Sequence, residues 1–81
     1  MFFHKSNQQK KLYKAVVAQA FRQPKGKAFT YNDLVVKTGL TSISTNDQRE
    51  VGRRFAYLVK HANLPFAIID SQQKPILYLR L

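Results

Sequence analysis

FTYNDLVVKTGL (29–40) and NDQREVGRRFAYLVKHA (46–62) are the two stretches whose reading decides the fold. Thr30 stands three residues before Asp33, the spacing at which a hydroxyl and a carboxylate satisfy free backbone N–H groups at a helix start. Leu34 and Val35 supply a buried side, and Gly39 stands where a left-handed residue commonly follows a helix. A short helix over about residues 31–38 is expected. The hydroxyl-rich segment 41–45 reads as a turn. Ser44 or Thr45 then caps a further helix, with Asp47 or Gln48 completing the box. Asp47 and Glu50 in its first turn suit the positive end of the helix dipole. Val51, Phe55, Leu58, Val59 and Ala62 recur at the helical period, and Pro65 stops the run, which predicts a helix over about 46–62.

Upstream, Ser6 with Gln9 has the spacing of a capping box. Leu12, Tyr13, Val16, Val17, Ala20 and Phe21 follow at helical spacing, with Lys10, Lys11, Lys14 and Arg22 off that stripe. Pro24 and Gly26 end a helix over about 7–22. Phe2 and Phe3 are read as folding back on its apolar side, with a dimer contact as the alternative. Ala28-Phe29 is read as a very short strand. Downstream, the apolar runs FAII (66–69) and ILYLRL (76–81) flank the polar turn 70–75 and predict a β-hairpin, with Leu77, Leu79 and Leu81 on one face. The expected core contains Leu12, Val16, Phe21, Leu34, Val51, Phe55, Leu58 and Leu79.

The whole chain has 81 residues, enough for one small domain over 1–81 and too few for two cores. There is no cysteine, so disulfides, thiolate nucleophiles and cysteine-based zinc sites are excluded. His4 and His61, with Asp33, Asp47, Glu50 and Asp70, are thin material for a metal site or an acid–base pair, and both histidines read as surface residues. No metal, cofactor or catalytic residue is assigned, and the chain is not expected to be an enzyme. No apolar run approaches a membrane span, and MFFHKSNQQKK lacks the apolar core of a signal peptide. A cytoplasmic or nucleoid-associated location is expected.

Charge is the dominant property. Fourteen Lys and Arg against four acids give a net charge of +10, with a pI near 10.3. Such an excess favours an anionic partner, nucleic acid first and an acidic membrane surface second. The charge is blocked. Residues 1–27 hold seven basic residues and no acid, residues 28–48 are slightly negative, and residues 49–61 return to a net +3.

The order helix, short strand, helix, turn, helix, hairpin resembles the winged helix-turn-helix superfamily. FTYNDLVVKTGL, NDQREVGRRFAYLVKHA and the FAII/ILYLRL hairpin carry the resemblance over nearly the whole chain. It implies an α+β fold with three helices and a C-terminal β-hairpin wing. It also implies that the third helix lies in the major groove of double-stranded DNA, with the wing beside it.

The third helix can be read on its own. Opposite its apolar stripe stand Asn46, Arg49, Arg53, Tyr57 and Lys60, with Arg54 on one flank. Arginine can fork to guanine and asparagine to adenine, whereas Arg53 and Lys60 serve equally as phosphate contacts. A solvated helix face has the same composition. Gly52, beside the stripe, reads as a point of close approach. Lys10, Lys11 and Lys14, with Lys25 and Lys27 in the following loop, form a second basic block suited to the phosphate backbone or simply to solubility. Gln72, Gln73 and Lys74 at the hairpin tip are the remaining contact candidates.

A small DNA-binding protein is therefore expected, a transcriptional regulator or a replication or recombination accessory acting by occupancy. The alternatives are a protein–protein interaction module inside a larger assembly, and a general nucleic-acid or RNA binder. A homodimer or a protein partner is a further expectation.

Overall fold

Caps and chain breakers set the limits of three helices. The computed structural model describes residues 7–40, 42–70, 72 and 74–81. Helix α1 is Asn7–Arg22, α2 is Tyr31–Thr38 and α3 is Thr45–His61. At α2, the Thr30 hydroxyl accepts from the Asp33 N–H and the Asp33 carboxylate accepts from the Thr30 N–H, closing the box reciprocally. Gly39 ends it at φ 74°, a left-handed conformation that glycine adopts without a Cβ penalty. At α3, the Ser44 hydroxyl accepts from the Asp47 N–H. The Asp47 carboxylate instead accepts a 2.8 Å hydrogen bond from the Gln9 amide and ties the start of α3 to α1. Ser6 lies outside the described residues, as do Phe2, Phe3 and His4. Helix α3 runs one residue earlier than the sequence predicts, because Ala62 takes an extended conformation (φ −101°, ψ 149°) and caps the end.

The strands are β1 (Ala28–Thr30), β2 (Phe66–Asp70) and β3 (Leu77–Arg80), in the antiparallel order β1-β3-β2. The hairpin expected from the sequence is thus joined by a third strand: Phe29 pairs with Tyr78 on one edge of β3, and Ile68 pairs with Tyr78 on the other. The register shifts between Ile68 and Asp70, and Ile69 there is exposed.

Placing β3 in the centre corrects one expectation about the core. Alternation puts Tyr78 on the helix side, where it is 2% exposed, and turns Leu77 and Leu79 to the other face, half-buried. Leu81 is exposed. Phe21 is a second correction. It is 42% exposed: the ring stands edge-to-face with Phe66 at 5.0 Å and lines an open trough between α1 and α3. Leu58 is half-buried rather than buried. The core itself combines Leu12, Val16 and Ala20 of α1, Leu34 and Val35 of α2, Val51, Phe55 and Val59 of α3, and Phe29, Phe66 and Tyr78 of the sheet.

Gly52 accommodates a ring. A Cβ there would come within 3.2 Å of Tyr31, whose hydroxyl donates a 2.7 Å hydrogen bond to the Gln48 carbonyl. Burial pushes the Tyr31 phenol from the ordinary 10 up to about 12 and raises Tyr78 as well. A phenol raised on folding holds its proton more tightly in the native state. The associated stability is complete below pH 10 and is lost as the pH climbs through 12. The urea midpoint is therefore expected to fall between pH 10 and 12, and to fall less in Tyr31→Phe, with the remaining drop due to Tyr78. A midpoint flat across that range in the parent protein would refute this assignment.

Candidate nucleic-acid interface

The amphipathic pattern that buries Val51, Phe55 and Val59 necessarily turns the opposite side of α3 outward. Asn46, Arg49, Arg53, Tyr57 and Lys60 are all exposed on it. Arg53 meets Glu50 at 3.4 Å in an exposed pair, an interaction weak enough for a phosphate to replace. Tyr57 is 66% exposed, and its ring lies against His61 with centroids 4.2 Å apart. Arg54 stands apart from this row. It is half-buried against α1, with its guanidinium 4.1 Å from the centroid of the Tyr13 ring, and so it does not join the outward face. The physical reason is angular: Arg54 lies about 100° round the helix from Arg53, on the side where α1 packs.

Beside the outward face runs an open groove of about 440 Å³. Gly52 and Ala56 of α3, Tyr31 of α2, and Pro75, Ile76 and Tyr78 of the hairpin line it, and its surface is mostly apolar. Exposed Arg49, Arg53 and Lys74 line it as well, so three cations from two elements border one apolar trough. The sequence singled out these three cations, together with Gly52, but not the groove. Ile76, just before β3, and Tyr78 within it supply the hairpin side of the groove, a consequence of strand order that alternation alone leaves open.

The other candidates are scattered. Lys10, Lys11 and Lys14 are exposed along α1, and Lys25 and Lys27 are exposed in the loop before β1. That loop is fastened to the far end of β3, where the Gly26 N–H donates to the Arg80 carbonyl and the Arg80 N–H to the Lys27 carbonyl. None of these five lysines lines the α3 groove. Gln72 is exposed next to Asp70, whose carboxylate accepts from its N–H. Gln73 lies outside the described residues. Among the described residues no three His, Asp or Glu side chains come together, and no helix is long and apolar enough to cross a membrane.

Comparison with known proteins adds one finding. No family model and no curated protein matches the chain. Among solved structures, it is similar to the SCCmec type IV LP1413 nucleic acids binding protein. The two are 47% identical over 99% of this chain and 94% of the other, with a TM-score of 0.87.

Proposed function

The chain belongs to the family of the SCCmec type IV LP1413 nucleic acids binding protein, and we propose that it is itself a nucleic-acid-binding domain that works through the outward face of α3 and the β2–β3 hairpin. The observation that carries this is the exposed row Asn46, Arg49, Arg53 and Lys60, with Lys74 of the hairpin lining the same groove as Arg49 and Arg53. The order of elements supports reading the hairpin as the wing of a winged helix-turn-helix. On that reading α3 enters the major groove of duplex DNA, the N-terminal half of α3 meets base edges, and Lys74 and Gln72 meet the adjoining backbone. The role that follows is regulatory or accessory, exerted by occupying the nucleic acid.

One observation favours a second reading, in which the ligand is a single strand. The groove under Arg49, Arg53 and Lys74 is apolar and open, and the half-buried ring of Tyr31 lines it. An unstacked base could pack there while the cations hold its phosphates. A titration of one defined duplex, a random duplex and a single strand, each at two salt concentrations, separates the readings. Duplex binding should lose affinity with a log–log salt slope of about −0.9 per phosphate neutralised, and single-strand binding with about −0.7. Affinity for all three that does not respond to salt would remove nucleic acid as the ligand.

The lysines of α1 have a distinct expectation. Lys10→Ala, Lys11→Ala and Lys14→Ala should each weaken every sequence to the same extent and shorten the salt slope by about 1, the behaviour of phosphate contacts. Unchanged affinity in all three would make this block a solubilising surface.

A further inference from the structure

The opposite flank of α3 carries a second concave surface. A trough of about 450 Å³ runs between α1 and α3, lined by Val17, Ala18 and Phe21 of α1 and by Leu58 and Leu64 across from them. Its surface is almost wholly apolar, and Ala18 and Phe21 are exposed along it. Leu58 lies roughly 140–180° round the helix from Arg49, Arg53 and Lys60. An occupant of this trough would leave the outward face of α3 free.

The border of the trough is cationic. Lys14 lines it directly. The Arg54 guanidinium stacks on Tyr13, another lining residue. The Arg80 guanidinium lies 5.9 Å from the centroid of the Phe21 ring. Arg54 Nη1 and Arg80 Nε are buried and meet no acceptor among the described residues, although a guanidinium N–H ordinarily finds one.

No side-chain carboxylate compensates these charges; Arg80 Nη1 donates to the Leu81 carbonyl, and its Nε is left over. Asp33 accepts from the Thr30 N–H, Asp47 from Gln9, Glu50 from Arg53 and Asp70 from the Gln72 N–H. None of the four lines the trough.

An apolar floor with a cationic border that no side-chain carboxylate neutralises is the complement of one ligand chemistry: an amphipathic segment with aliphatic or aromatic residues on one face and acids along its flanks. We propose that the α1–α3 trough docks an acidic amphipathic helix of a second protein. The domain then holds a protein on one flank of α3 and nucleic acid on the other.

Two fluorescein-labelled peptides of about 16 residues test this, sharing one leucine stripe with glutamates elsewhere in the first and lysines elsewhere in the second. Anisotropy should show binding of the glutamate peptide and not of the lysine peptide. Ala18→Glu places a like charge on the floor at an exposed helical position that tolerates it, and should weaken the glutamate peptide by at least about tenfold. Lys14→Glu should weaken it in the same direction. Arg53→Ala and Lys60→Ala should leave it within about twofold, because they lie on the other flank. Equal binding of both peptides, or insensitivity to Ala18→Glu, would overturn the proposal. So would a loss well beyond twofold in Arg53→Ala or Lys60→Ala, which would place the peptide on the α3 outward face. A concentration-dependent dimer abolished by Ala18→Glu would give the trough to a second copy instead. None of these results touches the nucleic-acid reading, which stands or falls on oligonucleotide titration.

Discussion

Phe55→Ala is expected to remove about 3–5 kcal/mol of stability and leave the domain largely unfolded at 25 °C. A single core in a chain this small supplies a net stability of only about 3–5 kcal/mol, so there is little margin to absorb the loss. Phe55 is fully buried, and its ring joins three parts of the fold. The centroid lies 5.1 Å from Tyr78 of β3, 6.4 Å from Phe66 of β2 and 6.5 Å from Tyr31 of α2. Truncation leaves a cavity at the point where the helices meet the sheet, and the surrounding rings are too rigid to fill it. Phe21→Ala is the internal control. That ring is 42% exposed and should cost far less. Urea unfolding followed by far-ultraviolet circular dichroism measures both. Similar midpoints for Phe55→Ala and Phe21→Ala would mean that Phe55 does not hold the sheet to the helices.

The same residues show where the sequence was legible. Thr30 with Asp33 and Gly39 bracket α2 by local hydrogen bonds and backbone conformation, and such signals need no knowledge of the rest of the chain. The 3.6-residue stripe of α3 likewise separates Val51, Phe55 and Val59 from Arg49, Arg53 and Lys60 without reference to any neighbour. What the sequence left open depends on distant pairing. Period-2 alternation makes Leu77 and Leu79 as eligible for the core as Ile76 and Tyr78. Only the pairing of β1 with the far edge of β3 selects Tyr78 for the inside. The groove beside α3 follows from that choice, because Ile76 and Tyr78 form its hairpin wall. A helical wheel puts Arg54 on the flank of the exposed row, where it stands; what the wheel leaves out is Tyr13, 41 positions earlier in the chain, whose ring lies under the guanidinium.

Arg49→Ala is expected to cost about 1–3 kcal/mol on a preferred nucleic acid and much less on a random one. Arg49 is exposed one turn inside the N-terminal half of α3 and lines the groove together with Arg53 and Lys74. That is where a forked guanidinium can reach a base edge while its neighbours hold phosphates. Lys60 supplies the comparison. It is exposed on the same side of α3 but eleven residues on, about 16 Å along the helix axis, and it does not line the groove. An ammonium at that distance acts on phosphate as a point charge, so Lys60→Ala should weaken preferred and random nucleic acid equally and shorten the salt slope by about 1. The contrast between the two variants is independent of absolute affinity and of whether the ligand is duplex or single strand. Competition binding of both variants, on a ligand selected from a random pool and on the unselected pool, measures it. Equal losses for Arg49→Ala on the two ligands would assign Arg49 to phosphate. Sequence preference would then have to come from Asn46 or Arg53, the two remaining side chains on the N-terminal half of that face with a fork or an amide to present to a base.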